Sequence, residues 1–363
     1  MNVPDHCKSL KRLPCLDGWR CLSILFVLIG HSTRTSGYPH SLDPWIRWLP
    51  DGEFGVEFFF VISGFLITYL LFKEMEKTGT ISLRGFYQRR ILRIIPAYAC
   101  FLMVLMVISL TTQLTIPPES WFALITYTVN YIYTPWIGAH IWYLSVEEQF
   151  YLIWPFLFWL IIAKGSSSKP GLLILMIPML VAPVGRVVGY VSHNQFPLDG
   201  HSFLCRADSL AIGCLLAHSL SRWGEQLGKL FRKRMVLLTI SALLLIAIPL
   251  VLTRCLILGP LNIPLGATMT GIGIALLIGL SIFSPKRMPF RWLEWKPIVS
   301  VGVMSYSIYL WQQIFCTSPK DFGFERAPWF LSFPYWLAPV FVVAFISYKC
   351  IEKPFLRLKS RLA

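Results

Sequence analysis

In LDGWRCLSILFVLIGHS, residues 16–32, Arg20 and His31 stand eleven positions apart within an otherwise apolar run. On a helix, eleven residues make three turns plus about 20°, so the two side chains share a face. Their separation along the axis is about 16 Å, over half of a bilayer's hydrocarbon core. A guanidinium at such a depth costs about 2.5–3.5 kcal/mol or more unless a partner, a cavity or water meets it. An elongated ligand carrying negative charge at one end could touch both residues of this face. An Arg20–Asp17 pair at i, i+3, with His31 at the outer interface, accounts for the same residues without a ligand.

Further ionisable residues recur in apolar surroundings. In GVEFFFVISGFLITYLL (55–71), Glu57 opens a span at the level expected for His31, and Ser63 and Gly64 allow a close helix neighbour. A carboxylate beside an imidazole orients it and raises its basicity, as a general base requires; a capping or interfacial glutamate is the alternative. FYQRRILRIIPAY (86–98) puts Arg89, Arg90 and Arg93 at the expected inner mouth of a helix. Their forks suit phosphate, the helix N-terminus adds N–H groups, and positive-inside anchoring competes as an explanation.

In HIWYLSVEEQFYLIWP (140–155), Glu147 and Glu148 cannot both face lipid cheaply, so at least one should turn inward. Helical spacing places Glu148 on a face with Leu144, Tyr151 and Leu152. Arg186, Arg206 and Asp208 fall near outer helix ends, with Arg206–Asp208 read as a structural pair. His6, His40, His193, His201 and His218 carry no supporting pattern.

The elements that must position these groups follow from composition. The chain of 363 residues is 55% hydrophobic and 14% charged, with a mean hydropathy of +0.61, which argues against a soluble protein. Spans are expected near 16–34, 54–72, 91–110, 141–163, 171–190, 202–220, 235–252, 264–283, 297–316 and 335–352. With no water to satisfy backbone polar groups, each should be helical. The fold class expected is therefore all-α integral membrane, with about ten transmembrane helices and both termini cytoplasmic.

The net charge of +15 raises nucleic acid as a partner. On this topology, however, the inner segments and their helix ends hold roughly 25 Lys/Arg, the outer loops about 5 and the spans three. Positive-inside bias thus absorbs the charge, and no nucleic-acid surface is expected. Residues 111–140 form the longest outer segment, aromatic enough to lie at the interface or re-enter; 165–171 reads as a flexible turn and 222–234 as a basic surface helix.

Nine cysteines without metal-ligand spacing point to no metal and to structural thiols. The N-terminus leads straight into a full-length span and is not expected to be a cleaved signal peptide. No internal repeat is visible, which weakens a transporter of duplicated halves.

LDGWR…H, GVEFFFVISGFLI, FYQRRILRIIPAY and HIWYLSVEEQFYLIWP, followed by FLCRADSLAIGCLLA, VGVMSYSIYLWQQ and SYKCIEKPF, resemble in order and spacing the motifs of the membrane acyltransferase-3 family. The likeness runs over nearly the whole chain, with Cys21 standing where a small glycine is usual. It implies one acyltransferase-3-like membrane domain over 1–363, in which an acyl group, commonly acetyl, passes from cytoplasmic acetyl-CoA or another acyl-CoA to a hydroxyl. The acceptor implied is an extracytoplasmic or lipid-linked glycan.

On that likeness, His31 takes the acceptor's proton, with Glu57 or Glu148 orienting it. Arg20, Arg89, Arg90 and Arg93 hold the donor. No permanently bound cofactor is expected; the partners are acyl-CoA, the saccharide acceptor, membrane lipid and, as an option, a second copy of the chain. The location implied is a bacterial cytoplasmic (inner) membrane. Some relatives carry an extra hydrolase-like domain, and this chain is expected to hold none. The alternatives are a longer or dicarboxylic acyl donor, a small-molecule acceptor, or a non-catalytic acyl-group transporter.

Overall fold

The computed structural model describes residues 13–46, 48–49, 51–163, 169–192, 200–285 and 287–361. Most of the expected 165–171 turn, the N-terminal segment before residue 13, His6 and His193 lie outside them. The described chain is helical, and no β-strand occurs among the described residues beyond one isolated bridge between Ser36 and Ser332. Apart from a single helical turn at Asp43–Ile46, the helices in chain order are α1 Pro14–Ser32, α2 Gly52–Thr78, α3 Leu83–Thr111, α4 Pro118–Thr126, α5 Trp136–Ala139, α6 Ile141–Phe158 and α7 Lys169–Val191. They continue as α8 Phe203–Lys233, α9 Met235–Cys255, α10 Gly259–Phe283, α11 Lys296–Val303, α12 Ser305–Phe315, α13 Leu337–Ser347 and α14 Lys353–Arg361.

Seven of these, α1, α2, α3, α7, α8, α9 and α10, are long and apolar enough to cross a membrane. The protein is an all-α integral membrane protein. The remaining expected spans differ in build. The 297–316 span is interrupted at Met304, the 335–352 span passes from α13 into a π-turn at Tyr348–Glu352, and the 141–163 span does the same at Trp159–Ala163.

Two boundaries differ from the sequence expectation in ways that matter for the site. Helix α3 starts at Leu83, where the Ser82 hydroxyl accepts from Gly85 N as an N-cap, eight residues before the expected start. The basic 222–234 segment is not separate. It continues α8 across a kink at Trp223 (φ −127°, ψ 27°).

The chain divides into two compact units. The first comprises 13–23, 53–81 and 146–302 among the described residues. Its core joins Trp19, Phe58, Val61, Ile62 and Phe65 to Ile212, Ile278 and Leu293. Helices α2 and α8 meet there backbone to backbone: Gly64 lies against the Leu210 carbonyl and Gly213 against that of Val61. Any side chain at either glycine would force the helices apart, which is the close neighbour expected at Ser63–Gly64. Helix α9 is apolar on nearly all sides and only 11% of its span is buried, as a lipid-facing helix should be.

The second unit comprises 24–52, 82–145 and 303–361. Phe101 and Leu105 of α3, Leu124 of α4, Ile137 of α5 and Trp336 are fully buried within it. The long 111–140 segment packs back onto this unit, with Tyr98 donating to the Leu124 carbonyl at 2.6 Å and Trp136 Nε1 to the Cys316 carbonyl at 2.8 Å.

Candidate active site

His31 ends α1 and is half-buried in the second unit. Its Nδ1 lies 2.9 Å from Oε1 of Gln312, on α12. Gln312 Nε2 donates to Gln313 Oε1 at 3.4 Å, and Gln313 Nε2 donates to the Trp136 carbonyl. Both carboxamides are almost wholly buried, at 0% and 1% exposure. Burying amides without partners costs several kcal/mol, so each donor and acceptor must be accounted for. The Trp136 ring stands edge-on to the His31 ring at 5.1 Å and carries Arg34 over its face at 4.0 Å.

Gly52 borders the opposite edge of the imidazole. A methyl group there would lie 3.8 Å from His31 Nε2, and Gly30 lies directly against the Gly52 backbone nitrogen. Among the described residues, Nε2 of His31 makes no hydrogen bond. His140 sits in the same unit, with Nε2 placed 3.2 Å from the Leu310 carbonyl and its own carbonyl accepting from Tyr309 at 2.6 Å.

The remaining sequence candidates fall as follows. Arg20 is paired with Asp17 at 3.5 Å, the alternative that the i, i+3 spacing left open. Glu57 is buried in the first unit, accepts from Ser209 Oγ and pairs with Arg206 Nη1 at 3.6 Å. Of the two adjacent glutamates, Glu147 is the buried one and accepts from both Ser63 Oγ and Tyr151 OH; Glu148 is half-buried. Tyr151 stands four residues after Glu147 and three after Glu148, within helical reach of both, and its hydroxyl goes to Glu147. The group found on Nδ1 of His31 is thus a glutamine, where Glu57 or Glu148 was expected.

The expected Arg206–Asp208 pair is corrected. Asp208 pairs with Arg186 at 2.9 Å and accepts from Thr268 at 2.5 Å, while Arg206 pairs with Glu53 at 2.9 Å as well as with Glu57. Residues two apart on a helix point about 200° away from one another, which sends the two side chains to different neighbours.

Arg89, Arg90 and Arg93 lie half-buried on α3. Because α3 begins at Leu83, they stand about two turns inside it, and its free N–H groups are not at their level. Arg90 lies over the Phe86 ring at 5.7 Å. Arg93 interacts electrostatically with the buried Glu352, which also accepts from Ser307 Oγ. No group of three or more His, Cys, Asp or Glu able to hold a metal occurs among the described residues, and the described cysteines are free.

Gln312 and Gln313 enter the sequence analysis only within VGVMSYSIYLWQQ, with no role assigned to them. Their signal was two consecutive carboxamides in the otherwise apolar YSIYLWQQIF.

Comparison with known proteins matches the acyltransferase domain over residues 13–349. The chain is 26% identical over 328 residues to the O-acetyltransferase OatA of Staphylococcus aureus, covering 84% of this chain and 50% of that protein. It is 26% identical over 364 residues to the peptidoglycan O-acetyltransferase OatA of Listeria monocytogenes, covering 95% and 56%. The chain thus spans about half the length of these curated relatives. No solved structure matches.

Proposed function

The chain belongs to the acyltransferase-3 family, and from that membership we propose that it is a membrane O-acyltransferase moving an acetyl group from cytoplasmic acyl-CoA to a hydroxyl of an extracytoplasmic glycan. The names of its relatives favour acetyl as the group and peptidoglycan as the acceptor class. The observation that carries the reading is the setting of His31: held through Nδ1, bordered by glycine backbone, and making no hydrogen bond at Nε2 among the described residues. This is the arrangement a general base needs, one nitrogen anchored and the other open to a substrate proton.

In this reaction His31 Nε2 takes the acceptor's hydroxyl proton as the oxygen bonds to the thioester carbonyl carbon. The carbon–sulfur bond breaks, and the proton passes to the departing CoA thiolate. Arg89 and Arg90 supply guanidinium forks for the donor's phosphates, with Arg93 braced by Glu352 beside them on α3.

The test uses sealed vesicles of known orientation with acetyl-CoA supplied on the cytoplasmic face and a peptidoglycan precursor enclosed on the other. Acetylated acceptor and free CoA left on the donor side are expected. His31→Ala should lower the rate about 10²–10⁴-fold while insertion is unchanged. Full activity in that variant removes His31 from the mechanism, and CoA crossing the membrane without acceptor modification turns the reading to a transporter.

A further inference from the structure

The hydrogen-bond chain behind His31 has a direction. Its far end is the Trp136 carbonyl, which can only accept, so Gln313 must turn its NH2 group toward it. The Oε1 of Gln313 then faces Gln312, which meets it with its own NH2 group. That leaves Oε1 of Gln312 for the imidazole. An oxygen that can only accept requires a donor, so Nδ1 of His31 carries the proton and Nε2 the lone pair. Turning either carboxamide over would set oxygen against oxygen or NH2 against NH2, where burial leaves no water to relieve the clash.

The rest of the site opposes rearrangement. Trp136, whose carbonyl anchors the chain, also bears edge-on against the His31 ring and is tied through Nε1 to the Cys316 carbonyl just beyond α12. The same residue therefore fixes both the polarity of the relay and the plane of the ring it serves.

We propose that Gln312 and Gln313 are positioning residues that hold His31 in the single tautomer whose Nε2 can accept a proton. The inference rests on His31 acting as the base, as proposed above, but it can be tested without any turnover. The protein is labelled with [15N]histidine, reconstituted in lipid and measured by solid-state NMR at about pH 9, where imidazoles are mostly neutral. A His31→Gln sample identifies the His31 signals by difference.

The expected spectrum has Nδ1 protonated and Nε2 unprotonated, opposite to the preference of free histidine. In Gln312→Leu the His31 signals should move toward the free-histidine mixture, and kcat should fall about tenfold with KM for acyl-CoA unchanged. A proton on Nε2 in the unmutated protein overturns the relay, as does an unaltered tautomer in Gln312→Leu. The spectrum decides this whether or not transfer is detected. Should the tautomer be as expected while His31→Ala remains fully active, the relay stands and the assignment of His31 as the base fails.

Discussion

The rearranged charge pairing around α8 makes a quantitative prediction. Asp208 is fully buried and accepts from Arg186 Nη1 at 3.2 Å, Arg186 Nη2 at 2.9 Å, Thr268 Oγ1 at 2.5 Å and its neighbour Ser209 N at 3.0 Å. Arg186 also donates to the carbonyls of Pro264 and Cys205, so it cannot swing away to water when its carboxylate is removed. Asp208→Leu should therefore destabilise the protein by about 3–5 kcal/mol, the cost of a buried charge left without its counter-charge. Arg186→Met should cost a similar amount. The double variant loses the pair and the orphan together, so it should be more stable than the sum of the single losses, with a coupling of about 3 kcal/mol. For Arg206→Met combined with Asp208→Leu, the coupling should stay below about 1 kcal/mol, since Arg206 is held by Glu53 and Glu57 instead. Unfolding equilibria in mixed detergent micelles give both cycles. A coupling for Arg206–Asp208 equal to or larger than that for Arg186–Asp208 would refute the pairing and restore the sequence reading.

Two further outcomes bear on the site. Arg90→Ala should raise KM for acyl-CoA about tenfold or more with little change in kcat, and Arg90→Lys should recover little, because lysine keeps charge but not the planar fork; unchanged KM in both Arg89→Ala and Arg90→Ala would leave the cluster an anchor. Gly30→Ala places a Cβ 2.7 Å from the Gly52 backbone nitrogen and should cost about 1–3 kcal/mol together with much of the transfer rate, measured by thermal unfolding and product formation; a variant as stable and active as the parent would show that the backbone beside His31 does not approach so closely.

The features legible in the sequence were those set by one helix at a time. Hydropathy locates the long spans, and the eleven-residue interval puts Arg20 and His31 on one face of a single helix, independently of its packing. Gly64 announced a close crossing, although not that α8 would provide it. What one helix cannot specify is its neighbour. Arg206 and Asp208 sit two residues apart in CRADSLAIG, and proximity in sequence suggested a pair that helical geometry then divides between Glu53 and Glu57 on one side and Arg186 on the other. The start of α3 was missed for a related reason. Its first two turns, LRGFYQRR, are too polar to read as a span, yet the Ser82 cap begins the helix there.

The partner of His31 was hidden for a chemical reason. Charges in a membrane span advertise themselves because lipid makes them costly, so Glu57 and Glu148 are the groups the sequence offers to orient the imidazole. A carboxamide carries no charge, and its cost can be cancelled by two or three hydrogen bonds that the sequence does not display. Gln312 and Gln313 meet that condition by bonding to one another, to His31 and to the Trp136 carbonyl. A glutamine on Nδ1 fixes the ring without placing a second charge in a low-dielectric interior, where a carboxylate would need compensation of its own. Two of the buried carboxylates take counter-charges, Asp208 from Arg186 and Glu57 from Arg206, while Glu147 is held by two hydroxyl donors. Around α8, charge pairs join helices, and at His31 neutral hydrogen bonds orient the imidazole.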